Sequence, residues 1–313
     1  LHCHVFGRGF AKRFSQKMKG NKMTNVLATK AVLANLNISL WAARKFDKKV
    51  TDKTHEAFNA SADAGRYNKM LIAKEALAEL NKVASSARRH HYALTLPWIT
   101  NGPCLLPTEH FDKHTKLRED MKLFHELADK FAQAYPSMIQ EAKKRLNGMF
   151  CEADYPSPDK IRSKFEFDIK YFPCPDSGDF RVTLSDEVME TMKSDLEMRM
   201  NGAVDNAMQS TRDRIVDVVS HMAEKLRGYK PPTEADRASN TFHDSLVDNV
   251  RDLAEMLPAF NLTDDPKLAK IIDRIRSQLC AVDAGELRDN EHERQYVAKA
   301  AASILKDVSN FMA

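Results

Sequence analysis

His110 and His114 stand four residues apart in a stretch whose apolar spacing predicts a helix, with Glu109 and Asp112 beside them. That spacing puts both imidazoles on one helical face, where they could share a divalent metal. A zinc-protease helix carries Glu directly after its first His, and here Phe111 stands in that place. A third ligand would have to come from elsewhere, with His90, His91 and His125 as the available imidazoles. The chain has 11 His among 313 residues, enough for such a pair to arise by chance. Surface or core histidines are therefore the plainer reading, and a metal-dependent enzyme using His110 and His114 ranks third among the functions considered.

Other chemistry has less support. Five cysteines (Cys3, Cys104, Cys151, Cys174, Cys280) are scattered without a CxxC pair. They read as reduced thiols, not as a disulfide framework. Cys104 and Cys174 lie near prolines, but no neighbouring pattern supplies the base and electropositive setting a nucleophilic thiol needs. The chain contains no GxxxxGK[ST], GxGxxG or GxSxG, which removes the sequence grounds for nucleotide hydrolysis, dinucleotide binding and α/β-hydrolase chemistry. No cofactor is called for, and no run of about 18 apolar residues predicts a membrane span.

Charge is unevenly distributed. The formal net charge is +4, but residues 1–22 hold six basic residues and no acid. The segment 19–23 must be encoded by a purine-rich tract of the kind that holds a ribosome-binding site. Met23 is therefore expected as the start and 1–22 as translated upstream sequence; a basic targeting or nucleic-acid-binding arm is the alternative. Residues 23–100 hold 12 basic and 6 acidic residues, whereas 101–313 hold 30 and 38. Arg44-Lys45, Lys48-Lys49 and Arg88-Arg89 are the local basic clusters, and they are the candidate nucleic-acid-binding residues.

The elements that would carry these groups are mostly helical. Helices are expected over 24–46, over 52–64 with Thr51 as cap, and over 67–91. An apolar stretch at 92–107 with three prolines should pack into the core. A helix then starts at Thr108 and breaks or kinks at Tyr135-Pro136. Ser157 and Pro158 begin a short helical turn. Residues 165–171 alternate apolar and polar as a strand does, and a turn at 175–178 leads to a return strand at 180–184. This β-hairpin is too small to stand alone. A single long helix over 185–227 follows, capped by Ser185. Its length would be about 65 Å at 1.5 Å per residue. Val188, Met192, Leu196, Met200, Val204, Met208, Ile215, Val219, Met222 and Leu226 form a winding apolar seam, with Thr211 as a polar gap and Gly202 as a crossing point for another helix. Three further helices are expected near 241–257, 265–282 and 286–312.

Several short runs together resemble a helical protein family of unknown function from bacteriophage genomes. They are Asn37-Ile38-Ser39-Leu40-Trp41, Ala43-Arg44-Lys45, Ala64-Gly65-Arg66-Tyr67-Asn68-Lys69, Thr95-Leu96-Pro97-Trp98, Asp154-Tyr155-Pro156-Ser157, Phe165 and Gly178-Asp179-Phe180-Arg181-Val182. The likeness extends over about 37–185. Related families sometimes lie beside genes for MoxR-type AAA+ ATPases, so the resemblance implies a phage protein in the cytoplasm of an infected host and a possible ATPase partner. It brings no catalytic residues.

The sequence is thus read as mainly α: an elongated multi-helix bundle with one long central helix (185–227) and an inserted β-hairpin (165–184). Its expected divisions are 1–22 (basic leader), 23–150 (N-terminal helical region), 151–184 (linker and hairpin) and 185–313 (long helix and C-terminal helices). The expected function is a non-enzymatic structural or interaction protein that self-associates through helices. Its interface candidates are Trp98, Phe167, Phe180, Met192, Met200, Val204 and Met208. The alternative is an accessory protein that binds nucleic acid or an AAA+ ATPase.

Overall fold

A computed structural model describes residues 26–98, 102–175, 185–233 and 236–311. The basic leader, Met23, Phe180 and the expected return strand lie outside the described residues. The chain is mainly α-helical and forms two compact units, one of residues 33–172 and one joining 26–32 to 173–311.

Where a helix over 24–46 is expected, the chain makes one helical turn, α1 (Val26–Lys30), and then a strand, β1 (Ala31–Ser39). Residues 34–40 alternate small or apolar with polar, a period of two. Asn35, Asn37 and Ser39 break a helical stripe because they are the solvent-side positions of a strand, while Leu36, Ile38 and Leu40 pack on the core. Next come β2 (Arg44–Phe46), helix α2 (Lys48–Phe58) and β3 (Asn68–Met70). Strands β2 and β3 pair antiparallel, with Lys45 opposite Lys69 and Phe46 opposite Asn68. Helix α2 is capped by Asp47, whose Oδ1 accepts from Val50 N at 3.1 Å, and not by Thr51. Thr51 is buried instead, its hydroxyl donating to Asp47 O and accepting from Tyr67 N. Helix α2 ends at Asn59 in the left-handed region (φ 50°), a conformation Asn tolerates, so it does not reach residue 64.

Helix α3 (Ala78–Leu94) starts later than the expected residue 67, because β3 and a 3-10 turn at Lys74–Leu77 come first. The apolar stretch after it does pack inward: Leu94, Leu96, Leu105 and Leu106 are buried. Within it β4 (Leu96–Pro97) pairs antiparallel with β5 (Cys104–Pro107). The four-stranded sheet has the order β4-β5-β1-β6, where β6 is Glu166–Pro173. The strand expected at 165–171 thus finds its partner in β1. Proline is tolerated in β4 because it is an edge strand.

After the short helix α4 (Phe111–Thr115), helix α5 (Leu117–Leu146) runs without a break through Pro136. The proline removes one backbone hydrogen bond and costs about 3 kcal/mol in an isolated helix. Burial on both sides of it offsets that cost, because Phe124, Phe131, Tyr135, Ala142 and Leu146 are all in the core. Tyr135 also donates to Pro156 O at 3.1 Å and packs edge-on to Trp41 at 5.6 Å. A one-turn helix, α6 (Pro158–Ile161), with Pro at its start, leads into β6.

The β2–α2–β3 excursion is fastened by a buried cation. Lys69 Nζ lies 2.8 Å from Asp154 Oδ2 and 3.4 Å from Asp47 Oδ2, and donates to Met149 O at 2.9 Å. Hydrogen bonding to Asp154 holds the ammonium above its usual range, and the bond from Val50 N holds the Asp47 carboxyl below its own. Tyr155 and Arg145 donate to Leu71 O and Met70 O, so the fastening reaches along β3. Lys69→Met is expected to lower unfolding stability by about 3 kcal/mol in urea titrations, because it strands two carboxylates without their countercharge.

The second unit is built on α7 (Asp186–Gly228), 43 residues long. Ser185 has the extended backbone of an N-cap but its side chain makes no capping bond. Helices α8 (Ser245–Phe260), α9 (Pro266–Gln278), α10 (Ala284–Asp289) and α11 (Glu291–Phe311) follow. Asp265 caps α9, accepting from Lys267 N at 2.7 Å. The helix expected over 286–312 is two, because Asn290 adopts extended backbone and its side chain accepts from Glu293 N. Helix α7 packs against α11 and α8, and α9 packs against α11 and α8. No helix among the described residues is long and apolar enough to cross a membrane.

Candidate functional site

The stripe that α7 buries keeps Met200, Met208, Ile215, Val219, Met222 and Leu226 of the expected seam and adds Ala203, Ala207, Thr211 and Ala223. Met200, Ala203, Ala207, Thr211, Ile215, Val219, Met222 and Leu226 are buried at steps of three and four. Ala203 and Ala207 replace Val204, which is only half-buried. The four successive steps of four from Ala203 to Val219 each overshoot a turn by about 40°, so the stripe winds around the rod as the expected seam does. Thr211 is no gap: its hydroxyl donates to Ala207 O at 2.9 Å inside the core. Gly202 marks no crossing, since a side chain there would meet nothing within 4 Å.

Carried toward the N-terminus by further steps of four, the same stripe continues through Leu196, Met192 and Val188. There its cover ends. Met200 is 9% exposed, whereas Met192 is 41% and Val188 45% exposed. Met198, on a different side, is 66% exposed. The fourteen residues 186–199 amount to about 21 Å of helix. Asp186, Glu187, Glu190, Asp195 and Glu197 outnumber Lys193 and Arg199 there, and the first two carboxylates suit the positive end of the helix dipole. The segment is an acidic helix end with an apolar row along it.

The other interface candidates fall differently. Trp98 and Phe167 are buried in the unit 33–172, and Met200 and Met208 in the second unit. Their apolar surface is already covered by their own chain, which removes them as contact residues. The periodicity that flagged them is equally the mark of a core. Among the described candidates only Met192 keeps both the pattern and the exposure.

The histidines converge, but not as a metal pair. His110 Nδ1 donates to Leu94 O at 3.2 Å. His114 Nε2 lies 2.8 Å from His91 Nδ1, and its Nδ1 lies 2.9 Å from Tyr171 OH. Both ring nitrogens of His114 are therefore engaged by protein groups. Among the described residues no three His, Cys, Asp or Glu side chains come together to hold a metal. His90 donates from Nε2 to Lys113 O. The result is a hydrogen-bonded chain of side chains from α3 through α4 to β6, buried at its two histidines. His125 lies elsewhere, against Phe167 O and Arg162. Cys174 is buried with its thiol donating to Ala31 O, and burial pushes it up to about 11, which makes it inert. An open pocket of about 440 Å³ is lined by Asn35, Asn37, Tyr92, Asp168 and Lys170 among others. It offers amides and an ion pair, with Lys170 Nζ 2.9 Å from Asp168 Oδ2, and no nucleophile paired with a base.

Burial pushes His91 and His114 down to about 4, with nearby imidazoles adding to the effect. Both are neutral at pH 7. In the unfolded chain they titrate near 6.5, so between pH 6.5 and 4 the unfolded state binds more protons and folding weakens as pH falls. The loss is on the order of 3 kcal/mol for each ring. Denaturant titrations from pH 7 to 4 should show this decline, and His91→Phe with His114→Leu should flatten that part of the profile.

The basic residues also sort themselves. Arg44 and Lys45 on β2 and Lys48 and Lys49 at the start of α2 are exposed. Arg88 instead donates to Ile38 O at 2.8 Å and is half-buried, a structural role. Arg89 is exposed on α3. No family model, no curated protein and no solved structure matches this chain.

Proposed function

We propose that this protein is a non-enzymatic, cytoplasmic interaction protein that self-associates through the N-terminal turns of α7. One observation carries the reading: the stripe that α7 buries from Met200 to Leu226 continues into residues 186–199, where Val188 and Met192 are exposed. An apolar row on a regular helix gains most by meeting a like row, and the hydrophobic gain is roughly 25 cal/mol per Å² covered. Methionine side chains, unbranched and polarizable, adapt to a helical partner without a preformed pocket. Two heptads form a short seam, so association should depend on concentration in the micromolar range. A phage origin and an AAA+ ATPase partner, which the sequence resemblance implies, add nothing to this reading and are not needed by it.

Light scattering across a concentration series tests it. The wild-type chain is expected to gain mass toward a dimer or larger assembly. Val188→Asp with Met192→Asp should return it to the monomer mass with unchanged melting temperature, because both positions are exposed. A monomer at every concentration would remove the reading.

A further inference from the structure

We infer that the β2–α2 excursion binds the backbone of a single-stranded nucleic acid. The observations are independent of α7. In the run from residue 44 to 49 every residue but one is exposed, and the exception is the only acid, Asp47. Asp47 is turned inward, where it caps α2 and pairs with Lys69. The fold thereby subtracts the one negative charge from the strip and leaves Arg44, Lys45, Lys48 and Lys49 at the surface. Among the described residues none of these four pairs with a carboxylate. The remaining exposed acids of the excursion, Asp52, Glu56 and Asp63, are set against Lys53 and Arg66, so a positive excess remains.

Aromatic rings stand among these cations. Phe46 is 46% exposed and Tyr67 39% exposed. The ribbon register explains the placement. Lys69 and its partner Lys45 share the side anchored by Asp154, so Arg44, Phe46 and Asn68 occupy the opposite side. Phe46 thus shares its side of the ribbon with Arg44 while Lys45 stands on the other, and a ring beside a cation on a two-stranded ribbon matches what unpaired bases and phosphates require together. The cations neutralise phosphates and release counterions, and the ring offers a face on which a base stacks regardless of its identity. A duplex keeps its bases stacked inside and has no use for the ring. An acidic peptide would use the cations alone.

The test is fluorescence anisotropy of a labelled 20-nucleotide oligothymidylate with the full chain over a salt series. Binding should weaken with salt at a slope of about −3 in log K against log concentration, for four neutralised phosphates. Lys45→Glu with Lys49→Glu should weaken binding at least tenfold and make the slope shallower. Phe46→Ala should weaken it about tenfold with the slope kept. Phe46→Leu, which preserves apolar volume without a stacking face, should behave as the alanine variant does. These positions are exposed, so melting temperatures should be unchanged and a folding defect is read separately. Absence of binding at 20 mM salt overturns the proposal, as does binding that the charge reversal leaves intact. Equal competition by a duplex of the same length overturns the single-strand assignment. Loss of self-association by the reversal variant, without oligonucleotide binding in the parent, would make the strip a contact between copies and overturn it too.

Discussion

A single helix of 43 residues is longer than the helices available to cover it. At 1.5 Å per residue α7 runs about 65 Å, whereas α11, its main neighbour, runs about 32 Å and α8 about 24 Å. Helix lengths of 21 and 16 residues therefore cannot enclose α7 from end to end. They enclose the part from Met200 to Leu226, and the stripe of apolar residues does not stop where the cover does. Everything proposed about self-association follows from that mismatch. The helix pattern says that the first turns are built to be buried, and the neighbouring helices say that they are not.

The unit 33–172 is organised by a different constraint. Its β2–α2–β3 excursion would be a loosely attached flap if only two short strands held it. A buried ammonium, two carboxylates and a carbonyl fasten it, and Tyr155 and Arg145 add further bonds to β3. The same fastening that costs desolvation inside leaves an unopposed positive strip outside. Stability and surface charge are thus set by one residue pair, Asp47 and Lys69, and neither property is visible from the positions of the charges in the sequence alone.

Much of the architecture was legible. The long helix, the strand at 166–173 and the proline-led turn at 158 follow from period and proline rules that act locally. The misreadings have a common physical source, which is tertiary context. Residues 34–40 satisfied both a loose helical spacing and a strict alternation, and the place of β1 inside a four-stranded sheet selected the second. Pro136 looked like a break because sequence rules weigh the lost hydrogen bond and not the burial of Phe131 and Tyr135 beside it. The candidate site was legible in type and not in extent. His114 was picked out by chemistry, but its partners His91 and Tyr171 lie 23 and 57 residues away; Arg44 was picked out too, but not the pairing of Asp47 with Lys69 that leaves its strip unopposed. The apolar seam marked core and exposed row alike, because periodicity records which face is apolar and not which helix lies over it.

The central claim is that the uncovered turns of α7 are covered by another copy. Amide hydrogen exchange over residues 186–199, measured at increasing chain concentration, tests it most directly. Exposed first turns of a helix fray and exchange quickly, and a partner helix slows them. Exchange in this segment should slow markedly from nanomolar to tens of micromolar while that of 200–226 stays constant. Rates in 186–199 that do not change with concentration would contradict the account.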